Sequence, residues 1–326
     1  LAARGLDVTR IAFTTRYGMP PTRLRHAANG AATAVAATPT STLLVTYRPP
    51  YDFAGVLAFL RGRALVGIEH VSDDAYARTV RLGNTHGWIR VSHARDQHAL
   101  CVEFTHSLAP ALPALLARVR ALFDLDAHPE LIARHLAKDA RLAAAVKANR
   151  GLRVTGAFDG FEHGVRAILG QQITVKAATT LACRFVETYG EPIATPIPEL
   201  TRLTPLPATV AAATVEDIAR HGIVAARCRS MIALAAAHES GELRLDGGVQ
   251  ANPDAVIAKL TELPGIGPWT AQYIAMRALR WPDAFPKEDI AVRNKLGGVS
   301  PREAERISQA WRPWRSYAVL HLWRMG

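Results

Sequence analysis

The hydrophobic pattern changes character near residue 110. Between Thr42 and Thr105 the apolar positions come in short β-branched or alternating runs, and beyond Pro110 they recur every three or four residues to the end of the chain. The first run, Leu43-Leu44-Val45-Thr46-Tyr47, is closed by Arg48-Pro49-Pro50, and prolines cannot donate to a ladder, so a strand ends there. Tyr51 to Ala64 carries Phe53, Val56, Leu57, Phe59 and Leu60 at helical spacing, and further strand-like runs follow near 66–72, 76–82, 87–92 and 99–105. Together they predict a helix laid on a small antiparallel sheet, an α+β unit over residues 42–110. The remainder, 111–326, reads as all-α, with helical windows near 110–123, 128–137, 140–148, 158–170, 172–188, 214–220, 225–239, 254–262, 268–279, 290–297, 301–311 and 313–324. Ser300-Pro301-Arg302-Glu303 marks one start with an N-cap Ser, Pro at the first helical position and Glu three residues on. Ahead of the α+β unit, residues 1–27 set Arg4, Arg10, Arg16, Arg23 and Arg25 against one acid, Asp7, and read as a basic amphipathic helix; the Ala-, Thr- and Gly-rich stretch 28–41 reads as a linker. The fold class expected is mainly α with a small α+β N-terminal unit.

Composition narrows the function classes. Hydrophobic residues make up 49% and charged residues 21% of 326, globular usage with core enough for about two domains and no place for long disorder. Lys and Arg number 39 against 28 Asp and Glu, a net charge of +11 that favours a polyanionic partner. Most of the excess is Arg, whose planar fork bonds two phosphate oxygens at once. The longest apolar stretches, such as Ile232 to Ala237, stop far short of the roughly 18 residues a spanning helix needs, so no membrane span is expected. Cys101, Cys183 and Cys228 are scattered and match neither a disulfide framework nor a metal spacing; buried thiols in a reducing cytoplasm are expected. No secretory signal pattern is visible at the start of the chain.

The sharpest local signal is Leu263-Pro264-Gly265-Ile266-Gly267-Pro268-Trp269-Thr270, set between two helical windows. The glycines let the backbone turn tightly and approach another surface, and amides at the second helix start would offer a phosphate site. An ordinary Gly-capped helix connection is an equal reading of Pro-Gly-Ile-Gly alone; the following Trp and the basic chain tip the balance to DNA phosphate. Trp269 and Tyr273 lie four apart and share a helix face, more often a core feature than a ligand wall. The proline-punctuated segment Trp281-Pro282-Asp283-Ala284-Phe285-Pro286-Lys287-Glu288-Asp289-Ile290 then delivers carboxylates to a helix start. Asp289 taken alone reads as an N-cap, and an acid can be both cap and catalyst.

These residues resemble the helix–hairpin–helix DNA glycosylase superfamily. Three further stretches in order, Tyr47-Arg-Pro-Pro-Tyr-Asp-Phe53, Phe161-Glu-His-Gly-Val-Arg-Ala-Ile-Leu-Gly-Gln171 and Trp311-Arg-Pro-Trp-Arg-Ser-Tyr317 leading to Trp323, narrow the resemblance to AlkA-type 3-methyladenine DNA glycosylases over residues 42–326. Residues 10–25 look like the last helix of an AraC-type helix-turn-helix domain, as in fusion proteins of the Ada–AlkA kind.

The resemblance implies a helix–hairpin–helix glycosylase fold and a monofunctional enzyme that flips an alkylated purine out of duplex DNA and hydrolyses its N-glycosidic bond. It places the catalytic acid at Asp289 and the aromatic base pocket at Trp269, Tyr273, Trp323 and Phe59. DNA contacts fall to Gly265, Gly267, Thr270 and the wedge position Gln172, and a monovalent cation could rest on the backbone carbonyls of Thr261, Leu263 and Gly265. No other cofactor is implied, and the expected setting is a monomer on double-stranded DNA in the bacterial cytoplasm, at the nucleoid. Two positions depart from the pattern. Ile290 stands where relatives can have Tyr, putting one aromatic wall in doubt, and Gln172 stands where an apolar wedge such as Leu is usual. Rival readings are a non-catalytic or transcription-regulatory DNA-binding module, in which Asp289 is only a cap, and a lyase-competent or iron–sulfur repair enzyme. A cluster would need four grouped cysteines, where three scattered ones are present.

Overall fold

The computed structural model describes residues 39–246 and 252–325. The basic helix and helix-turn-helix remnant expected over 1–27 lie outside the described residues, as does all of the expected linker but its last few positions. Those last positions are not linker: β1 (Thr40–Thr46) begins within them, because Thr40 and Ser41 pair with Thr105 and Phe104.

The N-terminal unit is a five-stranded antiparallel sheet, with β2 (Glu69–Val71), β3 (Ala75–Leu82), β4 (Thr85–Ala94) and β5 (Ala99–Thr105) completing the order β1-β5-β4-β3-β2. The run expected over 66–72 shrinks to the three residues of β2. Helix α1 (Phe53–Arg61) starts at Asp52, whose Oδ1 accepts from the Gly55 N–H at 2.8 Å, and buries Phe53, Val56, Leu57 and Leu60 against the sheet. Helix α2 (Leu112–Leu122) closes the same core with Leu115, Leu116 and Val119.

The helical part runs through α3 (Pro129–Leu136), α4 (Ala140–Ala148), α5 (Gly160–Leu169), α6 (Val175–Tyr189), α7 (Pro207–Ala211), α8 (Val215–Ala219), α9 (Ala225–Glu239), α10 (Pro253–Glu262), α11 (Pro268–Arg277), α12 (Ile290–Lys295), α13 (Pro301–Ser308) and α14 (Arg315–Arg324). Only α7, five residues long, was not anticipated by the periodicity. Helix α11 is the shared wall of two cores: Ala271 and Ile274 pack with α5, α6 and α9, and Ala275 and Met276 pack with α4, α12 and α14. The side chains of one short helix are thereby held from both sides, which is the rigidity a site needs.

Buried polar links brace the helical part and tie it to the sheet. Tyr317 Oη donates to Asp124 Oδ2 at 2.8 Å and the Val154 N–H donates to the same oxygen at 3.0 Å; burial raises this carboxyl to about 6, more than the nearby Arg153 charge lowers it. Between sheet and α5, Arg78 meets Glu162 at 2.6 Å, and Arg166 meets Glu69 at 2.9 Å and Glu162 at 3.1 Å. Of the three thiols only Cys228 is buried; Cys101 and Cys183 are half-buried, because β5 and α6 each turn that position partly to solvent. Among the described residues no helix is long and apolar enough to cross a membrane.

Candidate active site

A cavity of about 980 Å³ opens between the N-terminal unit, the α5–α6 connection, the hairpin and α12. It lies at the upper end of the roughly 300–1,000 Å³ typical of ligand pockets. Phe59, Gln172, Gly265, Gly267, Trp269, Thr270, Tyr273, Asp289 and Trp323, far apart in the chain, all line it.

Asp289 is the N-cap of α12: its Oδ1 accepts from the Val292 N–H at 2.8 Å. The same carboxylate accepts from the Trp269 indole N–H at 2.9 Å and the Trp323 indole N–H at 3.3 Å. Cap and candidate catalyst are thus one residue, held by three N–H groups from three elements and 8% exposed at the cavity wall. The aromatic residues have a second task beyond presenting their faces, since two of them aim the carboxylate. Trp269 and Tyr273 stack with centroids 5.2 Å apart and planes 12° apart, and Trp323 lies tilted at 6.3 Å from Tyr273. Phe59, also lining the cavity, has the guanidiniums of Arg63 at 4.0 Å and Arg277 at 4.3 Å over its ring.

The hairpin joins α10 to α11 as its glycines require. Gly265 has φ +74°, and a Cβ there would stand 2.3 Å from Ser230 Oγ, so only glycine fits. Gly267 caps α11 with nothing within 4 Å of its Cβ position, leaving an open approach to the helix's first N–H groups, which have no intrahelical partners. Thr270 is placed otherwise than as an exposed contact: its side chain is buried and its Oγ1 accepts from Gln171 Nε2 at 3.0 Å. The carbonyls proposed for a cation lie on this turn. Leu263 O already accepts from the Ile266 N–H and Gly265 O from Gln171 Nε2 at 2.8 Å, so an ion would use their second lone pairs together with Thr261 O. Among the described residues no group of three or more His, Cys, Asp or Glu could hold a metal.

Gln172 is exposed and takes a left-handed conformation, φ +56°, at the tip of the α5–α6 connection. Gln171 behind it ties this tip to the hairpin through the two bonds just given, and its own carbonyl accepts from Arg227. Ile290 is 69% exposed on the cavity rim, so it forms no inner wall.

Several cavity residues escaped the sequence reading: Gln171, His163, Arg63, Glu288 and Arg277. Arg63 and Arg277 sit four residues after Phe59 and Tyr273, a helical spacing that could have suggested them. Arg277 is 1% exposed, donates from Nη1 to Thr155 O at 2.6 Å and has no partner at Nε. His163 packs 5.2 Å from Tyr273, its Nε2 also lacks a partner, and burial drives its pKa down to about 3, so the ring is neutral. Burial raises the Tyr273 phenol, but the Arg277, Arg63 and Arg166 charges bring it below its ordinary value.

Residues 42–159 match the AlkA N-terminal domain, and residues 165–315 match the HhH-GPD superfamily of base excision DNA repair proteins. The chain is 35% identical over 279 residues to DNA-3-methyladenine glycosylase 2 of Escherichia coli, covering 86% of this chain and 95% of that protein. It is 40% identical over 308 residues to a probable bifunctional transcriptional activator/DNA repair enzyme AlkA of Mycobacterium tuberculosis, spanning 93% of this chain but 61% of that longer protein. The 3-methyladenine DNA glycosylase of Archaeoglobus fulgidus shares the fold, with a TM-score of 0.74 at 18% identity over 86% of this chain and 96% of the other. A carboxylate held by two indoles behind a glycine hairpin, an AlkA N-terminal sheet and an extended match to a bacterial relative lead to one conclusion: the chain belongs to the AlkA family of HhH-GPD base-excision DNA glycosylases.

Proposed function

We propose that this chain is a monofunctional DNA glycosylase that releases alkylated purines of the 3-methyladenine type from duplex DNA, acting as a monomer. The observation that carries the reading is the Asp289 carboxylate, fixed by Trp269, Trp323 and Val292 in the wall of a cavity large enough for a flipped base. The base must leave the stack, at a cost of a few kcal/mol, before any group can reach its glycosidic bond. Hairpin amides at Gly267 and the start of α11 would grip the backbone phosphate, and Gln172 would fill the vacated place. Its amide can bond the orphaned partner base, a task an apolar wedge cannot perform.

In the cavity the aromatic faces hold the base, and C1′–N bond cleavage leaves an oxocarbenium on the sugar. Asp289 supplies the counter-charge and orients the water that adds to C1′. A non-catalytic DNA-binding module would have no use for a carboxylate aimed by two indoles into a cavity. The test is base release from duplexes carrying a single 3-methyladenine or 7-methylguanine, comparing wild type with Asp289→Asn. Free base with wild type and release slowed by about 100–1,000-fold with the variant is expected; wild-type protein that binds such DNA but frees no base would refute the enzymatic reading.

A further inference from the structure

We infer that Arg277 is a leaving-group residue of the site, whose charge serves the release of neutral purines. The inference rests on the proposed glycosylase reading and goes beyond it by assigning a second charge to the reaction. Arg277 is 1% exposed, lines the cavity, and has no carboxylate partner; it hydrogen-bonds Thr155 O and the Tyr273 phenol, and lies over the faces of Phe59 at 4.3 Å, Tyr273 at 5.5 Å and Trp323 at 5.9 Å. A guanidinium buried without a counter-ion is costly, and an Nε–H with no acceptor adds to that cost. Among the described residues the other deeply buried arginines are held differently: Arg78 and Arg315 are paired with acids, and Arg153, whose Nε also lacks an acceptor, is spread over several backbone carbonyls away from the cavity lining.

Other charges also face this end. Arg63 lies 4.0 Å over the Phe59 ring and adds to the positive field. Arg166 is neutralised by Glu69 and Glu162. The carboxylates of Asp289 and Glu288 enter from the loop before α12; Asp289 is turned to the indole N–H groups, and Glu288 Oε2 is buried with no hydrogen-bond partner. Trp323 touches both centres: its N–H binds Asp289 and its ring lies against Arg277. The cavity therefore carries a carboxylate for the sugar cation and a guanidinium for the base.

The chemistry gives that pairing a use. When the C1′–N9 bond breaks, its electron pair passes to the purine. A 7-methylguanine, cationic in DNA, leaves as a neutral molecule and needs no help. A neutral base such as hypoxanthine leaves with a negative charge, which Arg277 stabilises while remaining protonated. Water oxygen then bonds to C1′, and the proton that water loses ends on the departed base.

The experiment compares single-turnover base release from two duplexes alike except for hypoxanthine or 7-methylguanine, using wild type, Arg277→Met and Arg277→Lys. Removing one preorganised charge-stabilising group costs about 100–1,000-fold where it acts. Arg277→Met should therefore lose about tenfold or more on hypoxanthine beyond its loss on 7-methylguanine, and Arg277→Lys should recover much of the difference. Equal losses on both lesions would make Arg277 structural and overturn the inference. If the Met variant does not fold, the wild-type enzyme decides: free xanthine at a mildly alkaline pH, where it is an anion, should inhibit base release more strongly than the fixed cation 7,9-dimethylguaninium, and the reverse order overturns the inference. A wild-type protein releasing neither lesion would instead reject the glycosylase reading itself.

Discussion

One cavity holds two kinds of buried charge. On its floor, Arg78, Arg166, Glu69 and Glu162 are paired with one another and further satisfied by Tyr76 Oη on Glu69 at 2.6 Å and Thr204 Oγ1 on Glu162 at 2.9 Å. At its working end, Asp289 is held only by neutral N–H donors and Arg277 by a carbonyl, the Tyr273 hydroxyl and ring faces. Paired charges spend their fields on each other and bind the sheet to α5. Charges held in place by neutral groups keep their fields for a visitor, and a reaction that separates charge across a glycosidic bond is one that can use both.

Breaking a pair on the floor should have the largest effect, and on folding. Glu162→Gln leaves Arg78 buried without its main counter-charge, which typically costs about 3–5 kcal/mol; denaturant unfolding should show it, while base release per folded molecule changes far less. At the working end the pattern should invert. Asp289→Asn should lower base release by about 100–1,000-fold with the unfolding midpoint nearly unchanged, because Asn caps a helix about as well as Asp. If that variant loses stability instead of rate, the distinction between the two regions fails.

The sequence made one of these regions legible and hid the other. The hairpin could be read because its requirements are local: Gly265 needs a positive φ, Pro268 opens a helix, and neighbouring residues carry both signals. Asp289 could be read as a cap from spacing and as an acid only through the resemblance, and the structure places both features on one carboxylate. The helical windows were close, since α-helix packing writes its period into the chain. Long-range pairing left no such mark: nothing local says that β1 lies beside β5, or that Arg78 of the sheet reaches Glu162 of α5. Arg277 was hidden for a related reason, because an Arg at the end of an amphipathic helix ordinarily carries its charge out to solvent, and here Phe59 from another unit covers it.

The buried titrating groups sharpen the comparison at a smaller scale. The pKa of His163 is about 3 in the folded chain against an ordinary 6.5, so below 6.5 the unfolded chain takes up a proton that the folded one refuses. Its contribution is complete above 6.5 and lost as pH falls toward 3. Asp124 acts in the opposite sense: at about 6 against an ordinary 3.8, it keeps its proton in the fold, so stability falls as pH rises through that window. His163→Phe should flatten the acid side of the stability curve and Asp124→Asn should remove the loss on the rising side, both followed by unfolding midpoints across pH.

At the hairpin, Gly265→Ala should disturb folding, since its Cβ would meet Ser230 and the φ is unsuited to a side chain. Gly267→Ala should fold normally, for its Cβ meets nothing, yet weaken duplex binding by standing where a phosphate would approach. Equal binding by Gly267→Ala and wild type would remove this turn from the DNA interface. Binding by wild type should also fall steeply with salt, each phosphate contact adding about 0.9 to the log–log slope.

The smallest effect expected is none at all, and it concerns strand cleavage. A glycosylase that also cuts the backbone needs an amine placed to attack the sugar C1′ and form a Schiff base. Two residues beyond the second hairpin glycine, where such an amine could stand, is Trp269, and its indole N–H is committed to Asp289. Among the described residues that line the cavity none is a lysine. Lys287 is the nearest in sequence to the acid, but it lies in the loop with Glu288 and Asp289 and does not line the cavity. Water is then the nucleophile available at C1′, and base release should leave intact abasic DNA that breaks only under alkali or heat. Borohydride added during turnover should trap no protein–DNA adduct, and Lys287→Ala should release base at the wild-type rate. A covalent adduct that forms with wild type and vanishes in Lys287→Ala would show that an amine reaches C1′ after all, and that Asp289 activates a residue of the chain instead of water.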